Sequence, residues 1–547
     1  MTPARVSRAL RTLLTAAALL SLPESGRCQS TSYVPVDDPA YHDLDALVAA
    51  GWIGGVIAGQ RPYSRAAFRR WTDEATARMD EDPAVAPRYR EALARLQTRF
   101  DGGTSPGTGP GGPGDGARLL LRGLRGDVAW ASSPPRPVRT QLTSEVDADV
   151  NPLLQRNFGR PVVDGWTVGT EAWLEGRWGS RFAAQLRPRV WASHAPGGGA
   201  RADVGTVDGY LRGLFGNLSV DVGRNGVVRG HAPNAAPVFS GNARGLDQLR
   251  LSMERPAHLP WLFRVLGPVS VSALVADMGG DTDTPGSKLI AFQGSARPHP
   301  DLEVGGALLN HQGGGVGREV PLGDRLRDVF FLLRRRPFYW GGPVRVASDK
   351  ALALDARLSV PSRGITVALE MMTTDDHDLF RSVKQALWHD AAWTGSAQVT
   401  GLGAQGRLDL WMQISRVGLL PYTHHEFTGG LALDRRILGS PLGPLGTGLE
   451  GGVHWNGATH RLSAWGAWER YAGDTYRNPD DGLSHRFRTA DNPDEIRLRA
   501  MASWSRGGAP GGMRTTVRGG VERVTRFAWG PTGRTNALLQ LQVDRVW

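Results

Sequence analysis

Apolar and polar residues alternate one by one over most of the chain beyond its first quarter. In the segment 405–416, for example, every second residue from Leu408 to Ile414 is apolar, and the residues between them include Asp409 and Gln413. Side chains of a β-strand point alternately to opposite faces, so this pattern predicts strands with one apolar and one polar face. Strands of about ten residues with lipid on one side and water on the other build transmembrane β-barrels.

Eighteen such strands are predicted within residues 139–547, of which 139–150 is the first. Their connections mostly alternate between tight turns and long loops; 312–350 is the longest loop, and 255–267 is too long for a turn position. Outer-membrane barrels have even strand numbers, short periplasmic turns and long outer loops. The segment 117–131 also alternates but would make the number odd, so we interpret it as a lead-in strand. The predicted fold class is an all-β transmembrane barrel of about 18 antiparallel strands with a small N-terminal α-helical bundle.

The last predicted strand ends on an aromatic residue. Leu539, Leu541 and Val543 share one face, and the chain stops at Trp547. In a closed barrel the final strand pairs with the first, and a terminal aromatic side chain lies in the interfacial girdle. Such a strand resembles the signal read by the outer-membrane assembly machinery, which we therefore expect as a partner. The alternative is an edge strand of a soluble β-domain.

Residues 1–30 have the three parts of a secretory signal peptide. Basic residues precede the apolar run 13–22, which is too short to span a bilayer, and small or polar residues follow it. Cys28 is the only cysteine and lies near the expected cleavage point. We therefore expect export to the outer membrane of a Gram-negative cell. We expect neither disulfides nor a cysteine-based metal site in the mature chain.

Residues 31–100 show the period of helices instead, and three short helices are predicted there. Because an even strand number returns both ends of the barrel to the periplasm, we expect a periplasmic helical bundle. Phe68, Trp71 and Leu96 are predicted to pack this bundle at the barrel mouth. Residues 101–138 are predicted to hold a Gly/Pro-rich linker and the lead-in strand.

Charge and glycine motifs argue against several other classes of protein. The net charge is +11, from 64 basic and 53 acidic residues, but no basic run with interleaved aromatic residues is present, so we expect no nucleic-acid partner. The pattern Gly401–Gly406 lies between two predicted strands with no following helix, so we interpret it as a turn and not a dinucleotide site. Gly103–Gly107 matches a hydrolase nucleophile pattern only within the linker. We predict no catalytic residues and no cofactor.

Two loop clusters contain residue types that bind metals, His424–Glu426 and Asp375–Asp378. The first lacks the spacing of a zinc helix, and polar clusters in loops are ordinarily solvated. We predict no metal site; the alternative is a calcium ion held by the second cluster.

The longest loop gathers the residues expected to bind sugar. The candidate polysaccharide-binding residues are Arg334, Arg335, Arg336, Phe338, Tyr339 and Trp340. Aromatic rings stack on the apolar faces of sugars, and arginines bond hydroxyls and carboxylates. Other long loops add Tyr422, His424, Tyr471, Tyr476 and Arg477. The alternative is that the rings form the outer aromatic girdle and the arginines face lipopolysaccharide.

Short motifs along nearly the whole mature chain are similar to those of a known family. They are 33–52, Gly59–Arg65, Val150–Leu154, Gly223–His231, Phe239–Asp247 and Leu438–Pro444. In this order they resemble the Wzi-type capsule assembly proteins. At Val228–Arg229 the chain departs from the Trp-Gly or similar pair that is common in that family.

The resemblance implies an eighteen-stranded outer-membrane barrel with a periplasmic helical bundle. It also implies a lectin-like role, in which the barrel binds capsular or other surface polysaccharide and supports capsule assembly without catalysis. We expect a monomer in contact with lipopolysaccharide and outer-membrane lipid. The alternative is an outer-membrane channel or porin-like transporter, whose lumen would be open rather than filled. An outer-membrane hydrolase is the third candidate.

Overall fold

The structure of the chain is a computed structural model. It describes residues 30–100, 117–138, 148–150, 153–154, 156–316, 322–329, 348–374, 391–424, 426–477, 487–490, 492–507 and 512–546. The expected signal peptide and most of the Gly/Pro-rich linker lie outside these residues. No helix in the described part of the chain has the length and apolar character needed to cross a bilayer.

Eighteen antiparallel strands form one closed barrel, which confirms the predicted fold class. In chain order they are β1 (Arg118–Ala131), β2 (Gly165–Trp178), β3 (Phe182–His194), β4 (Ala200–Phe215), β5 (Leu218–Asn225), β6 (Leu246–Met253), β7 (Pro268–Asp277), β8 (Ser287–His299), β9 (Leu302–Gly313), β10 (Ser348–Val360), β11 (Ile365–Thr374), β12 (Ala391–Leu402), β13 (Leu408–Val417), β14 (Gly446–Asn456), β15 (His460–Tyr471), β16 (Glu495–Gly507), β17 (Met513–Thr525) and β18 (Arg534–Val546). Each strand pairs with its neighbours along the chain, and β18 pairs with β1 to close the barrel.

The alternating sequence decides which side of each strand faces lipid. On β13, Met412 and Ile414 are exposed on the outer wall, whereas Asp409 and Gln413 are buried inside the barrel. Apolar side chains therefore form the outer wall, as expected of a barrel in a membrane. Polar side chains line much of the lumen, and apolar ones such as Leu289 and Met372 face inward beside the plug.

The first barrel strand differs from the prediction. We expected 117–131 to be a lead-in strand and 139–150 to open the barrel. Instead, β1 is paired on both sides, with β18 and with β2. Within 139–150 the described strand residues are Asp149–Val150, which pair with Arg136–Pro137 outside the barrel. Apolar and polar residues alternate in both segments, so the pattern alone cannot tell which one is the first barrel strand. What distinguishes them is that 118–131 pairs with the last strand, β18.

The connections differ in length at the two ends of the barrel. At one end, the short-turn end, the tightest connections are 179–181, 216–217, 300–301, 361–364, 403–407 and 457–459. At the other, the long-loop end, the longest are 132–164, 226–245, 314–347, 418–445 and 472–494. The connection 254–267 is the exception at the short-turn end, where Ala257–His258 extends the hairpin by pairing with β7.

Three helices form the N-terminal bundle: α1 (Ala40–Ala49), α2 (Arg65–Asp80) and α3 (Pro87–Phe100). The side chain of Ser64 caps α2, and Pro87 begins α3, where the missing N–H costs no hydrogen bond. Phe68, Trp71 and Leu96 belong to the bundle's own hydrophobic core. Hydrogen bonds and ion pairs, described below, join this bundle to the barrel.

The bundle lies at the short-turn end. The backbone N–H of Ser30 donates to the carbonyl of Ser180 (2.8 Å), in the turn between β2 and β3. Arg88 of α3 donates to the carbonyl of Gly406 (2.9 Å), in the turn between β12 and β13. The bundle therefore reaches turns on separate sides of the barrel.

Two loops of the long-loop end, 226–245 and 418–445, fold inward and are together called the plug. Phe239, Tyr422 and Leu438 form a hydrophobic core with inward-facing residues of the barrel wall. The plug also touches the bundle, because Val228–Arg229 pairs with Gln60–Arg61. The lumen is thus occupied from both ends.

Short elements complete the described fold. The helix α4 (Leu322–Val329) lies in the loop between β9 and β10, and 3-10 helices span Trp261–Leu266, Pro361–Arg363 and Phe527–Trp529. Two-residue strands Ala432–Leu433 and Arg436–Ile437 pair within the plug, and Thr475–Arg477 pairs with Phe487–Ala490.

Candidate functional site

A cavity of about 620 Å³, here called the chamber, lies inside the barrel between the bundle and the plug. The bundle contributes Asp37 and His42, the plug contributes His231, and the barrel wall contributes Arg514 and Arg518. The chamber is thus bordered by polar and charged side chains from every unit of the fold. Its geometry follows from how the bundle and the plug are attached to the wall.

Asp37, just before α1, joins the N-terminal segment to the barrel through three arginines. Its carboxylate accepts hydrogen bonds from Arg125 (2.6 Å), Arg160 (2.7 Å) and Arg187 (3.0 Å). The same arginines also pair with carboxylates of the wall, Asp544, Glu171 and Asp208. Burial alone raises the pKa of Asp37, but the three arginines outweigh burial and hold this pKa well below its ordinary value. Asp37 is therefore ionised throughout the physiological range.

Two further joints attach the bundle elsewhere on the wall. Arg88 and Asp409 form a bidentate ion pair whose side chains are only 2% and 1% exposed. The carboxylate of Glu303, on β9, accepts hydrogen bonds from the backbone N–H groups of Ala58 and Gly59, both at 2.8 Å. These joints lie on strands far apart around the barrel, so the bundle is fixed in orientation as well as in position.

A fourth joint includes a histidine. A ring nitrogen of His42 lies 2.7 Å from Oδ1 of Asn456, and the neighbouring Asp43 pairs with Arg95 and Arg461. Burial and the charge of Arg461 lower the pKa of His42 to about 4. The imidazole is therefore neutral at pH 7, and its contact with the barrel is a hydrogen bond rather than an ion pair.

The plug is attached to the wall around His231. Glu370 of β11 accepts hydrogen bonds from the backbone N–H groups of His231 (2.6 Å) and Ala232 (2.5 Å). Nε2 of His231 lies 3.3 Å from Asp355 and 3.9 Å from Glu303. Burial lowers the pKa of His231, but the hydrogen bond to Asp355 and the charges of Glu303 and Glu370 outweigh it and raise the pKa above the ordinary value.

The chamber is lined by side chains that, in the part of the chain the structure describes, do not form a metal site. Among the described residues, no three His, Cys, Asp or Glu side chains lie close enough together to hold a metal ion. Beside Arg514 and Arg518, the wall contributes Thr516 and Gln542. Its charged groups next to the bundle and plug are engaged in holding those units, which assigns them a structural role.

The residues expected to bind polysaccharide lie outside the described residues. These are Arg334, Arg335, Arg336, Phe338, Tyr339 and Trp340. Their loop leaves β9 and enters β10 at the long-loop end. One part of that loop is described: Asp328 of α4 accepts hydrogen bonds from Lys350 (2.8 Å) and Asn310 (3.1 Å), which fixes α4 to the barrel. The cluster Asp375–Asp378 also lies outside the described residues.

Two other aromatic residues proposed for sugar binding are buried, which corrects that expectation. Tyr422 donates to the carbonyl of Pro237 (2.6 Å) within the plug, and Tyr471 donates to Glu469 (2.9 Å) inside the barrel. Neither ring is exposed for stacking on a sugar. His424 accepts hydrogen bonds through Nδ1 from the backbone N–H groups of Glu426 and Phe427, so it orders its own loop.

The contact between Asp37 and its three arginines has no counterpart among the predicted site residues. Arg125, Arg187 and Glu171 alternate with apolar residues, and this pattern predicts only the face of the strand on which they lie. Their pairing depends on strands and a helical segment that are distant in sequence. The nearest available signal was an isolated Asp37-Asp38 pair just before a predicted helix.

The fold and the filled lumen define an outer-membrane β-barrel protein whose barrel is occupied by its own chain. The family model described as capsule assembly protein Wzi matches residues 138–464. The chain belongs to this family, as its motifs suggested. No curated protein matches the sequence.

Two solved structures are similar to the chain, and the first of them supports the fold. Wzi from Escherichia coli, described as an outer membrane protein involved in group 1 capsule assembly and as a carbohydrate-binding β-barrel, is similar over 94% of this chain and 100% of its own, with a TM-score of 0.66 and 14% identity. OccD3 (OpdP) from Pseudomonas aeruginosa covers 78% of this chain and 90% of its own, with a TM-score of 0.43 and 12% identity.

We predict that Asp37→Asn loosens the bundle. The substitution removes the charge that Arg125, Arg160 and Arg187 share, and breaking a buried ion pair costs about 3–5 kcal/mol. In refolded protein, the urea concentration at which a protease cleaves residues 30–100 should fall. Asp73→Asn, at an exposed position of α2, is the control and should leave that concentration unchanged. Equal resistance of both variants would contradict the assigned role of Asp37.

We predict that the plug loosens as pH rises. Because the folded-state pKa of His231 is raised, its contribution to stability is complete below about pH 6.5, the ordinary value. That contribution is lost as pH rises through the folded-state pKa. Hydrogen exchange of residues 226–245, corrected for the intrinsic rate, should therefore speed up with pH, and His231→Gln should abolish this dependence. His299→Gln, at an exposed turn, should retain it; a pH-independent rate in the unsubstituted protein is the contrary result.

Proposed function

We propose that this protein binds a capsular or other surface polysaccharide at the outer face of the outer membrane, and that it supports capsule assembly without catalysis. The observation that carries the proposal is the occupied lumen. The bundle fills the short-turn end and the plug folds into the other, which suits a binding protein better than a channel. Membership of the Wzi family, and the description of the Escherichia coli protein as carbohydrate-binding, supply the class of ligand.

The proposal includes an orientation. Outer-membrane barrels have their short turns in the periplasm, so the bundle of residues 31–100 is periplasmic and the long loops face the cell exterior. β1 starts and β18 ends at the same short-turn end, consistent with insertion from the periplasm. The C-terminal strand, with Leu539 and Leu541 exposed on its outer face, is the segment offered to the assembly machinery. The inserted protein is a monomer.

An epitope tag tests this orientation. Placed in the Gly-rich linker near residue 108, the tag should be inaccessible to antibody on intact cells and become accessible once the outer membrane is permeabilised. The same tag in the loop 195–199, at the long-loop end, should be labelled on intact cells. Labelling of the linker tag on intact cells would reverse the proposed orientation.

The binding residues of the proposal are those of the longest loop. Arg334, Arg335 and Arg336 supply charge-assisted hydrogen bonds to the carboxylates of an acidic glycan. Phe338, Tyr339 and Trp340 stack on the apolar faces of its sugars. Lipopolysaccharide, in the leaflet around this end of the barrel, presents phosphates to the exposed arginines of the rim. Because exposed charges are screened by salt, the affinity of such a site falls with ionic strength.

We predict that deleting the gene shifts polysaccharide from cells to the medium. Restoring the natural gene should return polysaccharide to the cells, whereas a gene carrying Arg334→Gln, Arg335→Gln and Arg336→Gln should restore it only in part. The purified triple variant should bind polysaccharide more weakly and with less dependence on salt, since three charges are absent.

A matched control removes three exposed arginines from the other end of the protein: Arg69→Gln, Arg90→Gln and Arg363→Gln. This control should retain polysaccharide as the natural protein does. Unchanged binding by the Arg334–Arg336 variant would move the site elsewhere, and an unchanged ratio of bound to released polysaccharide in the deletion strain would reject the function itself.

A further inference from the structure

The connection between β6 and β7 exposes a compact apolar patch. Within its 3-10 helix, Trp261 and Leu262 are each 89% exposed, Val265 is 73% exposed and Phe263 is 62% exposed. Four large apolar side chains this close together rarely remain exposed to water. Such a patch usually marks a surface that is covered by a protein partner or by membrane lipid. The other turns near this end, such as 300–301 and 361–364, carry no comparable apolar group among their described residues.

This helix is held beside the barrel wall and outside the core of the bundle. It packs near the end of β8, and its end is fixed by a hydrogen bond from the backbone N–H of Gly267 to the carbonyl of Arg264 (3.0 Å). None of its apolar side chains belongs to a hydrophobic core cluster of the described residues. The patch is therefore not a part of the bundle–barrel packing.

The patch is followed directly in the chain by β7, a strand of the lipid-facing outer wall. Leu251 on β6 and Val271 on β7 are exposed on that wall. A strand rises about 3.3 Å per residue, so Val271 lies on the order of 10 Å from the start of β7, where the helix joins it. The helix thus lies at the level where the apolar belt of the barrel gives way to the aqueous phase.

An apolar groove of about 490 Å³ continues from the same strands along the outer wall. Leu251, Val271 and Phe292 line it, and Gly294 and Gly306, directly opposite each other on β8 and β9, leave it hollow. An added Cβ at Gly294 would meet only Val271, at 3.8 Å. The groove is therefore open, apolar space on the outer wall.

We propose that Trp261–Leu266 is an interfacial anchor that inserts into the headgroup region of the leaflet at the short-turn end, and that glycerophospholipid covers both the patch and the groove. Indole rings favour the boundary between headgroups and acyl chains. Arg264 is the one charged residue of the helix, and a cation is suited to lipid phosphate. The proposal rests on the orientation given above, which makes this leaflet the periplasmic one and its lipid glycerophospholipid.

A single labelled cysteine tests the proposal. In a Cys28→Ser background, which has no other thiol, Leu262→Cys is labelled with an environment-sensitive fluorophore, and the protein is refolded in phosphatidylcholine–phosphatidylglycerol vesicles. Emission should shift to shorter wavelength on refolding. Lipids that carry a nitroxide near the headgroup should quench the label more strongly than lipids that carry it at the chain end.

Ser362→Cys, in an exposed turn at the same end, is the control and should report water in every vesicle. Water-like, unquenched emission from position 262 would overturn the proposal. The patch of Trp261–Leu266 would then be covered by a periplasmic protein instead of lipid. A shift that disappears when the protein is diluted with lipid would also overturn it, in favour of a second copy of the chain. None of these readouts involves polysaccharide, so they are independent of the proposed function.

Discussion

An eighteen-stranded barrel encloses more space than its inward side chains can fill. The bundle and the plug occupy the space that the wall leaves open. The chain fills the lumen from both ends with its own segments. At the long-loop end the plug forms an apolar core against inward-facing Leu289 and Met372. At the short-turn end the inner wall is charged, and ion pairs and hydrogen bonds join the bundle to it. The chamber is the space that remains where these two kinds of packing meet.

Pairing of the buried charges is the condition under which such a wall can fold. On the inner wall, Arg497 lies between Glu469 (3.3 Å) and Glu522 (2.7 Å), and all three side chains are fully buried. A charge taken out of water is tolerated only where an opposite charge and hydrogen bonds replace its hydration. A strand register shifted by one residue would place these groups in lipid. We infer that the charge network contributes more to the register of the strands and the orientation of the bundle than to net stability.

Features that depend on local residue patterns could be predicted from the sequence, whereas contacts between distant segments could not. Alternation located seventeen of the strands because each outer residue meets lipid regardless of its neighbours. It could not distinguish β1 from the segment 139–150, since both alternate and closure depends on a partner at the other end of the chain. For the same reason Asp37 was missed, and Tyr422 was taken for an exposed ring although plug formation buries it. Side chains whose role is set by distant segments carry no local signature of that role.

These constraints explain how a family can keep its fold at low identity. An outer wall requires only that residues be apolar, and a lumen requires only that opposite charges meet, so many sequences satisfy both. Because many sequences meet these requirements, two chains can share the fold with few identical residues. Escherichia coli Wzi is similar over its full length at only 14% identity. Loops at the long-loop end are free of both requirements wherever they do not enter the plug. The sequences of those loops can therefore diverge while the filled barrel beneath them stays the same.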